Sequence, residues 1–225
     1  MPPKADYGTD APNIVMGLGI IGLFFCIASL LWFSFLFIGL LLIILAFLML
    51  YSSKIGKCRQ RDKLINSFNI KGDETILDIG CGKGLLFIAA AKKLTSGKAI
   101  GIDIWNNLDL SKNNSQTTLL NAKLECVEDR VEVKTADMRN LPFEEHSVDI
   151  IMSSMAIHNV KSKEGRQKAL LEIHRVLKPG GKIALMDFKY TKEYLTVLKG
   201  MGLNNAVRSG LIFRMFPPVR IVRVN

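Results

Sequence analysis

The sequence predicts an α/β protein: a mostly parallel sheet covered by helices on both faces, preceded by a transmembrane helical segment. Three observations lead there. Beyond residue 71 short apolar runs alternate with helical patterns, which is how strands joined by crossover helices read. In Leu77-Asp78-Ile79-Gly80-Cys81-Gly82-Lys83-Gly84 three alternate glycines follow an apolar, strand-like run that carries an acid. And no Asp, Glu, Lys, Arg or His occurs from Ala11 through Ser53.

Taken in chain order, residues 1–13 form an N-terminal tail and residues 14–51 an almost wholly apolar segment. As one helix that segment would run about 57 Å, nearly twice the roughly 30 Å of a bilayer's hydrocarbon core. Two spans turning near Leu31 to Phe35 fit the length better, with Trp32 at the far interface and Tyr51 at the near one. One long tilted span with an interfacial extension is the alternative, because no Pro, Asn or charge marks a turn. The run is too long for a signal peptide and no small-residue cleavage site follows it, so the segment is expected to stay attached. A basic juxtamembrane linker or helix, residues 52–70, carries Lys54, Lys57, Arg59, Arg61 and Lys63 against Asp62. The positive-inside rule then places the following domain on the cytoplasmic side, and the cluster can also attract anionic headgroups.

Residues 71–225 are the soluble domain. Strands are predicted at 75–79, 99–103, 131–135, 148–153 and 182–187, with helices near 85–94, 108–125 and 163–176. A helix from Thr191 to about Lys199 and strands near 203–209 and 219–224 end the chain. The net charge of +10 invites a nucleic-acid reading, but part of it is the juxtamembrane cluster and the rest is scattered among carboxylates. Cys26, Cys58, Cys81 and Cys126 show neither a C-x-x-C pair nor histidines at zinc spacing, and are expected to be free thiols.

The glycine turn is expected to bind a cofactor, since glycine allows φ > 0 and lets a ligand approach the backbone. A dinucleotide fingerprint would need Gly or Ala at position 85, which is Leu85. The order acid-x-Gly-x-Gly-x-Gly, with Asp78, Gly80, Gly82 and Gly84 on the matching positions, instead resembles the first motif of the class I S-adenosylmethionine-dependent methyltransferases, in a domain similar to methyltransferase types 11 and 25. Lys178-Pro179-Gly180-Gly181-Lys182 before a strand resembles a turn of the same family. The resemblance covers roughly residues 60 to 225 and implies a Rossmann-like, seven-stranded, mostly parallel sheet closed by a C-terminal antiparallel hairpin.

Ligands of open α/β sheets bind beyond the carboxyl ends of the strands. Asp103 ends the second strand, where a carboxylate can accept two hydrogen bonds from a ribose diol. The resemblance gives the matching acid that role and sets Ile104 and Trp105 beside the adenosine. It also implies that Asp137 and the backbone N–H of Met138 hold adenine, an Asx turn being the alternative use of Asp137. Asp78 is expected to face the cofactor's ammonium, to cap the glycine turn, or both. Ser153, at the end of the fourth strand, is expected near the reactive methyl. Cys81 falls within the cofactor loop by position, whereas its side chain and that of Lys83 are expected to point away as ordinary turn residues. His158, the one histidine near a strand end on the presumed catalytic face, is a candidate general base or else a packing residue, while His146 and His174 read as structural.

Methyl transfer asks for alignment and exclusion of water rather than for a triad or a metal, and neither is visible in the sequence. The Asp/Asn-Pro-Pro-aromatic motif of nucleic-acid and amide methylation is missing after the fourth strand; Phe216-Pro217-Pro218 lies elsewhere and in another order. The expected function is therefore transfer of a methyl group from S-adenosylmethionine to a small or lipophilic acceptor at a membrane. A nicotinamide-dependent oxidoreductase and a non-catalytic membrane scaffold are the alternatives.

Overall fold

A computed structural model of the chain describes residues 4–106, 110 and 113–225. The apolar segment folds as a helical hairpin, α1 (Pro12–Ala28) and α2 (Ser34–Tyr51), with the turn at residues 29–33. At 1.5 Å per residue these helices are about 25 and 27 Å long. They cross where Gly22 meets Gly39: a Cβ on Gly39 would lie 2.7 Å from the Cys26 amide nitrogen and 2.8 Å from the Gly22 carbonyl oxygen. Only glycine permits that approach of two backbones. The outward faces are large and apolar, with Ile20, Phe24, Phe37 and Phe47 all more than half exposed. Among the described residues, helix Ser34–Asn66 alone is long and apolar enough to cross a membrane by length and composition; Pro12–Ala28 is apolar but shorter.

Helix α2 continues through a π-helical turn (Ser52–Gly56) into α3 (Lys57–Asn66). The tail is not a free arm. Asp10 accepts a hydrogen bond from Ser53 (Oγ to Oδ2, 3.2 Å), and the Lys57 ammonium donates to the carbonyls of Tyr7 (2.9 Å) and Gly8 (3.2 Å) and to Asp10 Oδ1 (2.9 Å). The two ends of the hairpin are thus clasped together on one side. Lys57 is buried, so it is withdrawn from the exposed basic cluster.

The domain holds β1 (Thr75–Ile79), α4 (Leu85–Ala91), β2 (Lys98–Asp103), α5 (Ser115–Leu124), β3 (Val131–Thr135), β4 (Val148–Ser154), α6 (Lys163–Val176), β5 (Leu177–Asp187), α7 (Thr191–Gly200), β6 (Val207–Arg208) and β7 (Arg220–Val224). The seven strands are ordered β3-β2-β1-β4-β5-β7-β6, parallel except for β7, which runs antiparallel to both β5 and β6. This is the predicted Rossmann-like sheet with its C-terminal hairpin. Leu64 of α3, Phe87 of α4 and Ala122 of α5 cover one face, while Leu170 and Ile173 of α6 with Tyr194 and Leu198 of α7 cover the other. Side-chain caps fix two helix starts: Asn114 accepts from Thr117 N (2.8 Å) and Ser162 from Gly165 N (3.0 Å).

Several boundaries differ from expectation, among them the helix expected near 85–94, which ends at Ala91. The helix expected from 108 begins at Ser115; residues 107–109 and 111–112 lie outside the described residues. The strand expected at 182 starts at Leu177, because Leu177 already pairs with Val148 and the Pro179-Gly180 corner is taken up as an irregularity in the ladder. The strand expected at 203–209 shrinks to Val207–Arg208, which ladder with β7, and Ser209 adds a hydrogen bond from its N–H to the Ile221 carbonyl (2.9 Å). Because the hairpin rests on backbone contact, Gly39→Val in detergent-solubilised protein should lower its stability by about 1–3 kcal/mol. The readout is the midpoint of an SDS titration, and an unchanged midpoint would contradict the contact.

Candidate cofactor and acceptor site

The turn after β1 sits at the reversal of strand order, between β2 on one side and β4 on the other. Gly80, Gly82 and Gly84 all have positive φ (71°, 50° and 88°), and a Cβ on Gly80 would collide with the Ala156 methyl. Each therefore needs to be glycine for conformation, and Gly80 for space as well. The amides of Gly80 and Cys81 donate to the Ile102 carbonyl at 2.9 and 3.0 Å, which ties the turn to β2.

Asp103 faces this turn. Its Oδ2 accepts from Gly82 N (2.8 Å), and its Oδ1 accepts from Trp105 N (2.6 Å) and from Asn113 Nδ2 (3.4 Å). Trp105 is fixed in turn by its indole N–H to Thr135 Oγ1 (2.7 Å), and Ile104 stands exposed beside it. The Asn113 carbonyl oxygen is buried without a hydrogen-bond partner among the described residues. A half-exposed carboxylate next to a buried, unanswered acceptor is a fitting receptor for a hydroxyl-bearing sugar.

Asp78 lies beneath the turn, fully buried, with Oδ2 accepting from Phe87 N (3.2 Å) in the first turn of α4. It thereby caps the start of α4. Burial, with a smaller contribution from the Asp103 charge, pushes its carboxyl up to about 8, against the pull of the Phe87 N–H. An uncompensated buried acid of this kind is matched to a cation.

Two side chains in the loop depart from expectation. Cys81 is buried against Gly101 and Phe87, and burial raises its thiol well above the ordinary value, so it is inert filling rather than an outward turn residue. Lys83 is buried too, paired with Asp6 of the tail at 3.2 Å. Behind the loop α5 supplies residues the sequence reading missed: Thr118 donates to the Gly82 carbonyl (2.7 Å), and Asn121 donates to those of Lys83 and Asp6 (both 3.0 Å). Their spacing of three residues puts them on one helix face, but that spacing by itself does not mark them as holding a loop.

Asp137 is committed locally. It accepts from its neighbour Arg139 through the backbone N–H (2.8 Å) and the guanidinium (3.0 Å from Nε), which holds its carboxyl below the usual range. The two line a shallow cavity of about 370 Å³ with Asn140, Glu164, Gly165 and Lys168, to which neither Asp103 nor the glycine turn contributes. Met138 packs into the core on the α6 side. Ser153 is buried, its hydroxyl donating to the Ile79 carbonyl (2.8 Å) and locking β4 to β1 at the mouth of the turn.

At the end of β5 lies Asp187, which the sequence reading left out. Its buried carboxylate accepts from Phe188 N (2.8 Å), from Tyr194 OH (3.1 Å) and from His158 N (3.2 Å). His158 Nδ1 lies 2.9 Å from Asp187 Oδ1, off the line of an ideal hydrogen bond, and the ring stands edge-on to Phe188 at 4.5 Å between centroids. Burial first, and then the Asp187 charge, raise the Tyr194 phenol, so it stays protonated as a donor. By contrast His146 is tied to the Leu177 carbonyl (2.9 Å) and His174 lies within α6, in keeping with structural roles.

Residues 77–185 match the family model of a methyltransferase domain. The 2-phytyl-1,4-naphtoquinone methyltransferase of Nostoc punctiforme is 35% identical over 140 residues, which cover 61% of this chain and 56% of that protein. The demethylmenaquinone methyltransferase of Lactobacillus johnsonii is 31% identical over 56% of this chain and 49% of its own. The chain therefore spans about half the length of these relatives. Among solved structures, a putative S-adenosylmethionine-dependent methyltransferase from Methanococcus maripaludis matches with a TM-score of 0.56 at 21% identity, covering 78% of this chain and 86% of the other. A geranyl diphosphate methyltransferase in complex with S-adenosylmethionine matches with a TM-score of 0.60 at 14% identity, over 79% and 87%. Residues 77–185 thus resemble a methyltransferase domain, and the chain shares the fold of these solved structures.

Proposed function

We propose that this chain is a membrane-anchored methyltransferase that moves the methyl group of S-adenosylmethionine to a small lipophilic acceptor of the quinone or phenol kind, with its catalytic domain on the cytoplasmic side. The observation that carries the reading is the clasp of Lys57, Asp10 and Ser53, which fastens the foot of an apolar, outward-facing hairpin to the tail whose Asp6 seals the glycine turn. A hairpin with so much exposed apolar surface is suited to lipid rather than water. The names of the two quinone methyltransferases support the acceptor class by similarity.

In this reading Asp103 and Asn113 hold the ribose, Asp78 faces the ammonium, and Ile104 and Trp105 flank the adenosine. The cofactor, when bound, supplies a methyl group on a sulfonium, a leaving group that needs no protein acid. Asp137 and Met138 take adenine, with Arg139 yielding Asp137 or leaving the contact to the backbone. His158, oriented by Asp187, takes the proton that the acceptor loses as its oxygen or carbon forms the bond to methyl. Phe188, edge-on to His158, and Met155, both partly buried, would offer apolar surface to a flat ring in this reading.

Purified protein in lipid nanodiscs, given labelled S-adenosylmethionine and a demethylmenaquinol or phenolic acceptor pool, should transfer label to the organic phase. No transfer despite demonstrable S-adenosylhomocysteine binding would count against the activity. Replacing Asp103 by Ala should weaken S-adenosylhomocysteine binding about tenfold or more, since hydrogen bonds to a charged acceptor are worth roughly 1.5–3 kcal/mol. His158→Ala should lower kcat by about 10²–10⁴-fold with cofactor affinity unchanged, the range for loss of a general base; an unaffected kcat would return His158 to packing.

The Asp78 carboxyl is raised from 3.8 to about 8 in the folded protein. Between those values the folded state holds the proton that the unfolded state has lost, so this group's contribution to stability falls as pH rises from about 4 to about 8. An ammonium opposite it would favour the carboxylate and expel the proton. Calorimetry at about pH 6.5 in buffers of different ionisation enthalpy should therefore record roughly one proton released on S-adenosylmethionine binding. Asp78→Asn should abolish that release; a release that persists would remove Asp78 from the ammonium site.

A further inference from the structure

The loop joining β6 to β7 is not used by the chemistry above, yet it lies beside it. Strand β7 pairs antiparallel with β5 in the register Asp187 with Arg220, so the residues preceding Arg220 emerge at the same end of the sheet as His158 and Asp187. The loop is also fastened to the hairpin's foot. Phe216 N donates to Ser52 Oγ at 2.9 Å, and a Cβ on Gly56 would collide with the Arg214 carbonyl oxygen, so loop and π-helical turn touch backbone to backbone.

Within the loop the side chains divide by direction. Met215 and Val219 are buried in the core that contains Leu64 and Phe68, whereas Leu211 is 47% and Phe213 75% exposed. Around these two apolar tips the charge has one sign. From Met201 to Asn225 there is no Asp or Glu, and Arg208, Arg214, Arg220 and Arg223 are present. Exposed Lys54, Ile55 and Arg59, on the hairpin's foot, continue the same mixture of cation and hydrocarbon. Apolar tips ringed by cations are suited to the boundary between acyl chains and anionic headgroups.

We infer that this loop is a second membrane contact: Leu211 and Phe213 enter the headgroup–acyl boundary of an anionic bilayer beside the hairpin, turning the acceptor side of the site toward the lipid. The inference rests on the membrane-anchor reading above. Arg214 and Arg220 sit at headgroup level, and an acceptor dissolved in the bilayer reaches His158 past Phe213 without crossing water.

The test uses the full chain with Cys26, Cys58, Cys81 and Cys126 replaced by Ala, and S-adenosylhomocysteine binding as the check on folding. Single cysteines introduced by Phe213→Cys, Ile44→Cys or Asp73→Cys carry an environment-sensitive fluorophore in phosphatidylcholine–phosphatidylglycerol vesicles doped with lipids bearing shallow or deep nitroxides. The Phe213 position should be quenched at least twofold more by the shallow nitroxide than by the deep one, Ile44 more by the deep one, and Asp73, at the far end of the sheet, by neither. If Ile44 is quenched and Phe213 is not, the loop contact is overturned and the anchor stands. If Ile44 is not quenched either, the anchor reading itself fails and the loop contact with it.

Discussion

One buried ammonium holds the two halves of this chain together. Lys57 stands at the junction of hairpin and domain, and its three N–H bonds go to the carbonyls of Tyr7 and Gly8 and to the Asp10 carboxylate. A buried cation is tolerated only when its donors are all answered, so its position fixes the position of its acceptors. Those acceptors belong to the tail, and the tail carries Asp6 to Lys83 in the middle of the glycine turn. Remove the ammonium and three separate pieces of chain lose their common reference: the hairpin's foot, the tail and the cofactor loop.

The site itself is organised around two acids of opposite character. Asp103 is partly open, engaged by the backbone N–H groups of Gly82 and Trp105, and shapes the loop through Gly82. Asp78 is sealed away with one N–H for company, and burial leaves it short of positive charge. Burial chiefly, with a smaller contribution from the Asp103 charge, disfavours the Asp78 carboxylate. A ligand carrying both a diol and an ammonium answers both, which is a physical reason for the acid-glycine pattern that goes beyond motif matching.

Much of this was legible in the sequence because it is local. Strands β1 and β3 and helix α6 have the predicted bounds, each marked by an apolar run with turn residues at its ends. Asp103 was recognisable from its place at a strand end. What escaped was what depends on distant partners. Asn121 meets Asp6 across 115 positions and Lys83 across 38, and nothing in a helix pattern separates a polar residue that holds a loop from one that faces water. Asp187 was passed over for a similar reason: it ends β5 as Asp103 ends β2, but its partners His158 and Tyr194 come from other elements. Lys83 misled because a lysine in a glycine turn is ordinarily solvated, and only the docked tail buries it.

The docking of the tail also sets an order of events. Residues 6–10 come before the hairpin in the chain, but their partners Lys83, Asn121 and Glu125 come well after it. During synthesis the hairpin can pair through Gly22 and Gly39, and Lys57 and Ser53 can take hold of residues 7–10, before α5 exists; only Asp6 and the Tyr7 hydroxyl must wait for Lys83, Asn121 and Glu125. The contact of Asp6 with Lys83 and Asn121 therefore joins an already anchored tail to the cofactor loop once the first half of the sheet is made.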